Sequence, residues 1–298
     1  MMQLSIVITV RNRKEDLLRC LDSIKASDLS GISHEIIVVD DASTDGTELL
    51  KPLGFRFIHN KKQQMMVKSR NIGAKETTGD YVLFIDEDNV IDKHMIQILL
   101  TSAVKYPEFG ILGPSMWFLS TKEKYLDYQT FNFYTGRTLG IIDTSGKDLC
   151  LSDGIPNVFM IKREMFLKYG YFDSSLIQTF TEPDYAFMLR DHGIKCGTVP
   201  SAITYHAVLP SSEFSPRSLG GMFTQKAYCL MRNRTVMIKR YGTVPQKTIY
   251  LIFFSWFWPT LYTVSMLKYG RFDLIKLYWL GYVDGLIYFF TGKLRSSL

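Results

Sequence analysis

A chain of 298 residues, 46% apolar and 21% charged, is long enough for one large domain or a domain with an appendage, and its composition excludes a disordered or fibrous protein. The four cysteines, Cys20, Cys150, Cys196 and Cys229, have neither zinc-knuckle nor redox spacing, so a reducing compartment is expected. The net charge of +6 is uneven: from Phe214 onward there are 12 Lys/Arg against two acids, Asp273 and Asp284, while the rest is mildly acidic, a pattern that suits an anionic partner or surface.

The start of the chain has no basic segment and no small-residue cleavage site, so secretion is not expected. Residues 4–10 are apolar and β-branched, as a buried strand requires. Residues 14–24 carry Leu17, Leu18, Leu21 and Ile24 at helical spacing. A second strand over 35–39 stops at Asp40-Asp41, and 43–47 reads as a helix entry whose side chains can cap. Arg56–His59 is a third strand, 68–75 a helix ended near Gly79, and 81–85 a fourth strand running into Asp86-Glu87-Asp88. This alternation predicts a mostly parallel α/β sheet with helices on both faces, where ligands gather beyond the carboxyl ends of the strands. The middle is mixed, with strands over 111–119 and 159–162 and a helix over 185–192. Beyond Ser211 come a basic helix over 225–240, twenty uncharged residues over 248–267, and 277–290 with Asp284 as its one charge.

Three acidic clusters follow predicted strands: Asp40-Asp41, Asp86-Glu87-Asp88 and Glu182-x-Asp184. Gathered carboxylates repel one another unless a cation or a donor-rich ligand compensates. Asp86 and Asp88, two apart, suit a hard Mg²⁺ or Mn²⁺ ion that shares oxygen ligands with a phosphate. Any one cluster also fits turn chemistry; three in register with strand ends favour a site.

Several segments together resemble family 2 glycosyltransferases of the GT-A fold. They are Ser5-Ile6-Val7-Ile8-Thr9-Val10-Arg11-Asn12, Val38-Val39-Asp40-Asp41-Ala42-Ser43-Thr44-Asp45-Gly46-Thr47, Ser69-Arg70-Asn71-Ile72-Gly73 and Asp86-Glu87-Asp88. The match continues through Gly170-Tyr171-Phe172-Asp173, Glu182-Pro183-Asp184-Tyr185, Arg190, Gly193 and Tyr205-His206, and is most similar to the rhamnosyltransferase-like subgroup, including Arg232-Asn233. The resemblance implies a Rossmann-like GT-A domain over 1–210, with a nucleotide-sugar half (1–115) and an acceptor half (116–210). A helical membrane-associating region over 211–298 would follow.

Under the resemblance, Asp41 accepts the N3–H of a pyrimidine base, favouring a UDP- or dTDP-sugar, and a charge-assisted bond suits that task. Thr9 and Arg11 line the same pocket. Arg70 lies beside base and phosphates, or else pairs with Asp41 or Asp86. Asp86 sits near ribose and metal, Asp88 ligates the Mg²⁺ or Mn²⁺, Glu87 points elsewhere, and His206 reaches the metal or diphosphate from the far side. The acceptor's base is an acid eleven residues before a glycine, which from Gly193 gives Glu182. Where the family has Glu-Asp this chain has Thr181-Glu182, followed by Pro183, so Asp184 stays a competitor. The implied reaction is a direct displacement with inversion onto a hydroxyl of a glycan or lipid-linked acceptor.

The stretch 248–267 could cross a bilayer, yet it contains Pro259 and spreads Tyr250, Trp256, Trp258 and Tyr262 along its length, residues that prefer the headgroup boundary. With Lys239, Arg240, Lys247, Lys268, Arg271 and Lys276 nearby, a monotopic anchor on the cytoplasmic face of the membrane is expected first. A span, as a hairpin with 277–290, and a helix packed on the protein are the alternatives. Arg217, Arg232 and Arg234 suit a lipid diphosphate or headgroup, or a solvated basic face. Other readings of the whole chain are a polyprenyl-phosphate glycosyl synthase, which needs no general base, and an inactive membrane-bound scaffold that binds nucleotide. A nucleotidyltransferase is disfavoured because 9–13 lacks glycine. Nucleic-acid binding is not expected, since the basic residues alternate with a bilayer-length apolar run.

Overall fold

The computed structural model describes residues 2–211, 214–220 and 224–296. The chain forms two compact units. The first comprises Met1–Thr130, Gly140–Ser174 and Tyr185–Leu209, and the second Phe131–Leu139, Ser175–Asp184 and Pro210–Leu298.

The first half of the chain runs β1 (Met2–Val10), α1 (Lys14–Lys25), β2 (Ile32–Asp40), β3 (Arg56–His59), α2 (Met66–Lys75), β4 (Tyr81–Asp86), β5 (Asn89–Ile91), α3 (Met95–Lys105), β6 (Phe109–Phe118) and β7 (Lys124–Leu126). A hairpin of β8 (Tyr128–Asn132) and β9 (Arg137–Ile141) follows, then β10 (Cys150–Leu151), β11 (Val158–Lys162), α4 (Arg163–Tyr169), α5 (Thr181–Arg190) and β12 (Lys195–His206). The main sheet has the order β10-β12-β6-β11-β4-β1-β2-β3, with β5 on β12 and β7 on β6. Strands β4, β1, β2 and β3 are parallel, and so are β6 and β12. Strand β11 runs antiparallel between β4 and β6.

Strand β1 lies at the centre and is buried on both faces, which is why it reads as a continuous apolar run. Its side chains alternate: Leu4, Ile6, Ile8 and Val10 join Leu17, Leu21 and Ile24 of α1, while Val7 faces Val67 and Ala74 of α2 and the Phe84–Phe159 stack. Helix α2 lies so close that a Cβ on Gly73 would fall 2.4 Å from Val7 Cγ1. Helix α1 opens with Glu15 and Asp16 and closes with Lys25, each charge opposing the local end of the helix dipole. One expected element differs. The capping residues at 43–47 lead into a 3₁₀ segment, Thr47–Leu53, entered through Gly46 at φ 85°, because Asp45 already binds Thr47 N and Oγ1 in a local turn. All four cysteines are buried free thiols.

The second unit is built on α6 (Thr224–Tyr241), α7 (Val244–Ile249), a π turn (Tyr250–Phe254), α8 (Phe257–Leu267) and α9 (Phe272–Thr291). Helices α6 and α9 approach closely at Gly281, where a Cβ would meet the Tyr228 carbonyl oxygen at 2.2 Å. Tyr228 donates to the buried Asp284 at 2.5 Å. Lys239 Nζ donates to the carbonyls of Tyr288 and Phe289 at 3.0 and 2.5 Å, a cation at the C-terminal end of α9. Arg232 and Arg234 are buried, so neither belongs to a solvated basic face. Arg234 stacks over Trp258 at 4.2 Å and donates to Tyr262 Oη at 3.0 Å.

The uncharged stretch 248–267 lies in the helical path Val244–Leu267, the one helix among the described residues long and apolar enough to cross a membrane by length and composition. It is not a straight rod of one kind, since the π turn interrupts it. Tyr250, Ser255, Trp258, Tyr262 and Met266 form a buried face within the unit, while Ile252, Phe253, Trp256, Val264 and Leu267 are exposed. Both faces are rich in apolar and aromatic side chains, and only one is covered by protein.

Candidate active site

At the carboxyl edge of the sheet β1, β2 and β4 end side by side: Val10 pairs with Asp40, and Thr9 with Asp86. The chain then has to turn sharply. Asn12 and Ala42 take left-handed conformations, at φ 51° and 58°, and the two turns are tied together, since Asn12 N donates to Ser43 Oγ and Thr44 N to Asn12 Oδ1. Arg11 donates to the Asp41 carbonyl at 2.7 Å. Thr9, Arg11 and Asp41 are thereby held on adjacent strand ends.

Asp40 and Asp41 point in opposite directions, as neighbours leaving a strand do. Asp40 is fully buried, takes the Ser43 N–H at 3.1 Å and meets His59 Nδ1 at 2.6 Å. The Asp41 carboxylate accepts Asn60 Nδ2 at 3.0 Å, Gln64 N at 2.7 Å and Met65 N at 2.9 Å. Three of about four lone-pair directions are used, so one further donor can be accommodated. Arg70 binds Asp86 Oδ1 at 2.6 Å and lies over Phe159 at 5.2 Å; of its two expected partners it chooses Asp86.

The second acidic cluster carries the most informative geometry. Asp88 Oδ2 lies 3.3 Å from His206 Nε2, bringing the ends of β4 and β12 together. The other side of the imidazole is fixed by Tyr125 Oη and Asn157 Nδ2, at 2.9 and 3.3 Å from Nδ1. The same Asp88 oxygen receives Arg13 Nη1 at 2.9 Å, and Arg13 Nε lies 3.4 Å from Glu87 Oε1. Burial opposes ionisation of Asp88, but His206 and Arg13 outweigh it, so its carboxyl is held below the ordinary range. Glu87 behaves oppositely: burial first, then the charges of Asp88 and Asp86, push it up to about 8 against the pull of Arg13.

A carboxylate oxygen and an imidazole nitrogen meet at one point, and a guanidinium already supplies positive charge to that carboxylate. Among the described residues no group of three or more His, Cys, Asp or Glu could hold a metal. Two ligands from the chain would leave the other positions of a Mg²⁺ or Mn²⁺ ion to phosphate oxygens and water, so this pair would suit such an ion only together with a nucleotide.

Glu182 and Asp184 lie in the second unit, inside the first turn of α5, which starts four residues earlier than its apolar spacing indicated. Thr181 Oγ1 donates to Glu182 Oε2 at 2.8 Å. Asp184 Oδ1 accepts Arg240 Nη1 at 2.8 Å and Tyr241 Oη at 2.9 Å. Sequence reasoning overlooked Arg13, Tyr125, Asn157 and Asn60. Arg13, two positions after Arg11 and followed by an acidic first turn, was the one with a readable signal.

Residues 5–170 match glycosyl transferase family 2. The chain belongs to that family. This glycosyltransferase is 24% identical over 250 residues to an uncharacterized glycosyltransferase of Haemophilus influenzae, covering 83% of the chain and 74% of the relative. It is 23% identical over 261 residues to a poly-beta-1,6-N-acetyl-D-glucosamine synthase of Staphylococcus epidermidis, where 85% of the chain spans 60% of the synthase. Among solved structures it resembles GalNAc-T7 with UDP, GalNAc and Mn²⁺, with TM-score 0.62 and 17% identity over 84% of this chain and 54% of that one. It also resembles residues 1–349 of Staphylococcus aureus TarS, with TM-score 0.55 and 15% identity over 96% and 91%. These likenesses give this glycosyltransferase the GT-A fold.

Proposed function

We propose that the chain is an inverting, metal-dependent glycosyltransferase that moves a sugar from a UDP- or dTDP-sugar to a hydroxyl of a lipid-linked or cell-surface glycan. The observation that carries this reading is the convergence of Asp88, His206 and Arg13 on one point. A Mg²⁺ or Mn²⁺ ion held by Asp88 and His206, with Asp86 nearby, would supply Lewis-acid stabilisation of the departing diphosphate. The chain's own residues do the rest. Asp41 accepts the N–H of the pyrimidine, Thr9 and Arg11 line the base pocket, and Arg70 offsets phosphate charge. Glu182 takes the proton of the acceptor hydroxyl as that oxygen forms its bond to the anomeric carbon. The carbon–phosphate-oxygen bond breaks, and its electron pair leaves with the nucleoside diphosphate.

Glu182 is preferred to Asp184 because Arg240 and Tyr241 hold the Asp184 carboxylate, and two such donors favour its ionised form in a fixed place. The exposed Ile252, Phe253, Trp256, Val264 and Leu267, with Lys247, Lys268 and Arg271 at the ends of the apolar path, support attachment to the cytoplasmic face of a membrane. The domain reading, catalytic over 1–210 and membrane-associating over 211–298, is part of the same proposal.

The test is turnover of purified protein in detergent against UDP- and dTDP-sugars with Mn²⁺ or Mg²⁺, following nucleoside diphosphate release and the anomeric configuration of the product. Metal-stimulated release with an inverted product is expected. Retention of configuration, or no release from any pyrimidine donor while a purine donor is consumed, would overturn the reading.

A further inference from the structure

The segment that carries Glu182 has an unusual backbone. Ile177, Thr179 and Phe180 adopt φ of 65°, 63° and 60°, a left-handed conformation that side chains disfavour and β-branched residues most of all. Such strain persists only where the surroundings over-determine it. Here the surroundings are the side chains of α6. The buried Asn233 donates through Nδ2 to the carbonyls of Leu176, Gln178 and Thr179, at 2.8, 2.8 and 3.1 Å. Its amide is oriented by the buried Arg232, whose Nε donates to Asn233 Oδ1 at 2.9 Å and whose Nη2 donates to the Ser175 carbonyl at 2.6 Å. Two turns further along α6, Arg240 holds Asp184, and Tyr241 Oη donates to the Asp184 carbonyl at 3.0 Å. Donors on one helix therefore grip the chain on both sides of Glu182.

We infer that Arg232 and Asn233 are positioning residues for the base: they hold the Ser175–Thr179 backbone in its left-handed path and so fix the direction of Glu182. The inference rests on the reading of Glu182 as the base. A connector that only had to link two elements could place glycine at its left-handed positions at no steric cost. This one keeps three non-glycine residues there and commits a buried guanidinium and a buried amide to hold them. Removing the amide leaves three carbonyls without their shared donor, and the backbone can then relax toward right-handed conformations. A shift of about 1 Å in a catalytic group can cost on the order of a hundredfold in rate. A donor site built from other residues would keep its affinity.

The experiment uses the full chain, with Mn²⁺ and the UDP- or dTDP-sugar that the wild type turns over fastest, and water as the acceptor. Asn233→Ala should lower kcat by roughly 10- to 100-fold, with the donor KM within about twofold and a cooperative thermal transition retained. The double variant with Glu182→Gln should be no slower than Glu182→Gln alone, since the helper has no base left to aim. Arg232→Lys, which loses the bond that orients Asn233, should show a smaller loss of the same kind. Thr179→Gly in the Arg232→Lys background should recover part of it, because glycine takes the left-handed conformation unaided. Glu182→Gln inactive with Asn233→Ala and Arg232→Lys both near wild-type kcat overturns the positioning role. So does an Asn233→Ala loss that appears in KM and kcat alike, or that adds in full to the Glu182→Gln loss. High turnover by Glu182→Gln instead overturns the assignment of the base, a separate result.

Discussion

The sheet edge of the first unit and the Arg232, Arg234 and Lys239 side chains of α6 in the second handle buried charge in opposite ways, although Arg240 of the same helix pairs with Asp184. At the sheet edge of the first, cations face carboxylates: Arg13 on Asp88 and Glu87, Arg70 on Asp86. In the second, Arg232 is held by backbone carbonyls and an amide oxygen, Arg234 by aromatic rings and a tyrosine hydroxyl, and Lys239 by the end of a helix. An ion pair can exchange a partner for a metal or a phosphate without leaving a group bare. A guanidinium seated on carbonyls and rings has no such alternative, and its loss is felt as packing. The same residue type therefore sits in exchangeable ion pairs in one region and in fixed packing contacts in the other.

That contrast breaks most visibly at Asp88. Asp88→Asn should lower donor turnover by about 10²–10³-fold, with only a modest drop in the thermal transition from the lost pairing with Arg13 and His206, measured by nucleoside diphosphate release and calorimetry. Arg234→Ala should do the reverse. It removes a buried stem and a ring-stacked cation, costing roughly 2–4 kcal/mol of stability by denaturant titration, with Arg234→Met recovering part of the packing.

A third variant sharpens the first unit's side. A carboxyl whose folded-state value is raised holds its proton more tightly when folded, so metal-free stability should fall as pH rises from the ordinary glutamate range toward about 8, the value reached by Glu87. Glu87→Gln should flatten that slope, matching the wild type near pH 5 and exceeding it near pH 8 in melting temperature. The smallest effect on stability is expected at the uncovered apolar face. Phe253→Ser and Phe272→Ser, both at exposed positions, should change stability by no more than about 0.5 kcal/mol, yet release the protein from phosphatidylglycerol vesicles in a sedimentation assay.

What could be read in advance followed the same divide. The strands β1 to β4 came out of the sequence within a few residues, because β1, β2 and β4 carry apolar runs and β2 and β4 end in punctuating acids. The pairing of Asp88 with His206 was anticipated through the motif order. Arg13 was missed because its local signal, a cation at the N-cap of α1 just before Glu15 and Asp16, points to those acids and not to the distant Asp88 and Glu87. The hairpin β8–β9 and the short β7 and β10 were missed for want of periodicity over so few residues. In the tail, composition announced basic and apolar material but not its arrangement: nothing local distinguishes an arginine bound for water from Arg232, which meets carbonyls some sixty positions away in either direction. The left-handed path at Ile177, Thr179 and Phe180 was equally invisible, since none of the three is a residue that invites it.

The central claim is that Asp88 and His206 together hold a divalent cation beneath a nucleotide diphosphate. Its most direct test is Mn²⁺ binding to the chain saturated with UDP, followed by the loss of the free-ion EPR signal, in the wild type and in Asp88→Asn and His206→Ala. The account predicts one bound ion per chain in the wild type and an affinity lower by roughly tenfold or more in each variant; equal Mn²⁺ binding by all three proteins would contradict it.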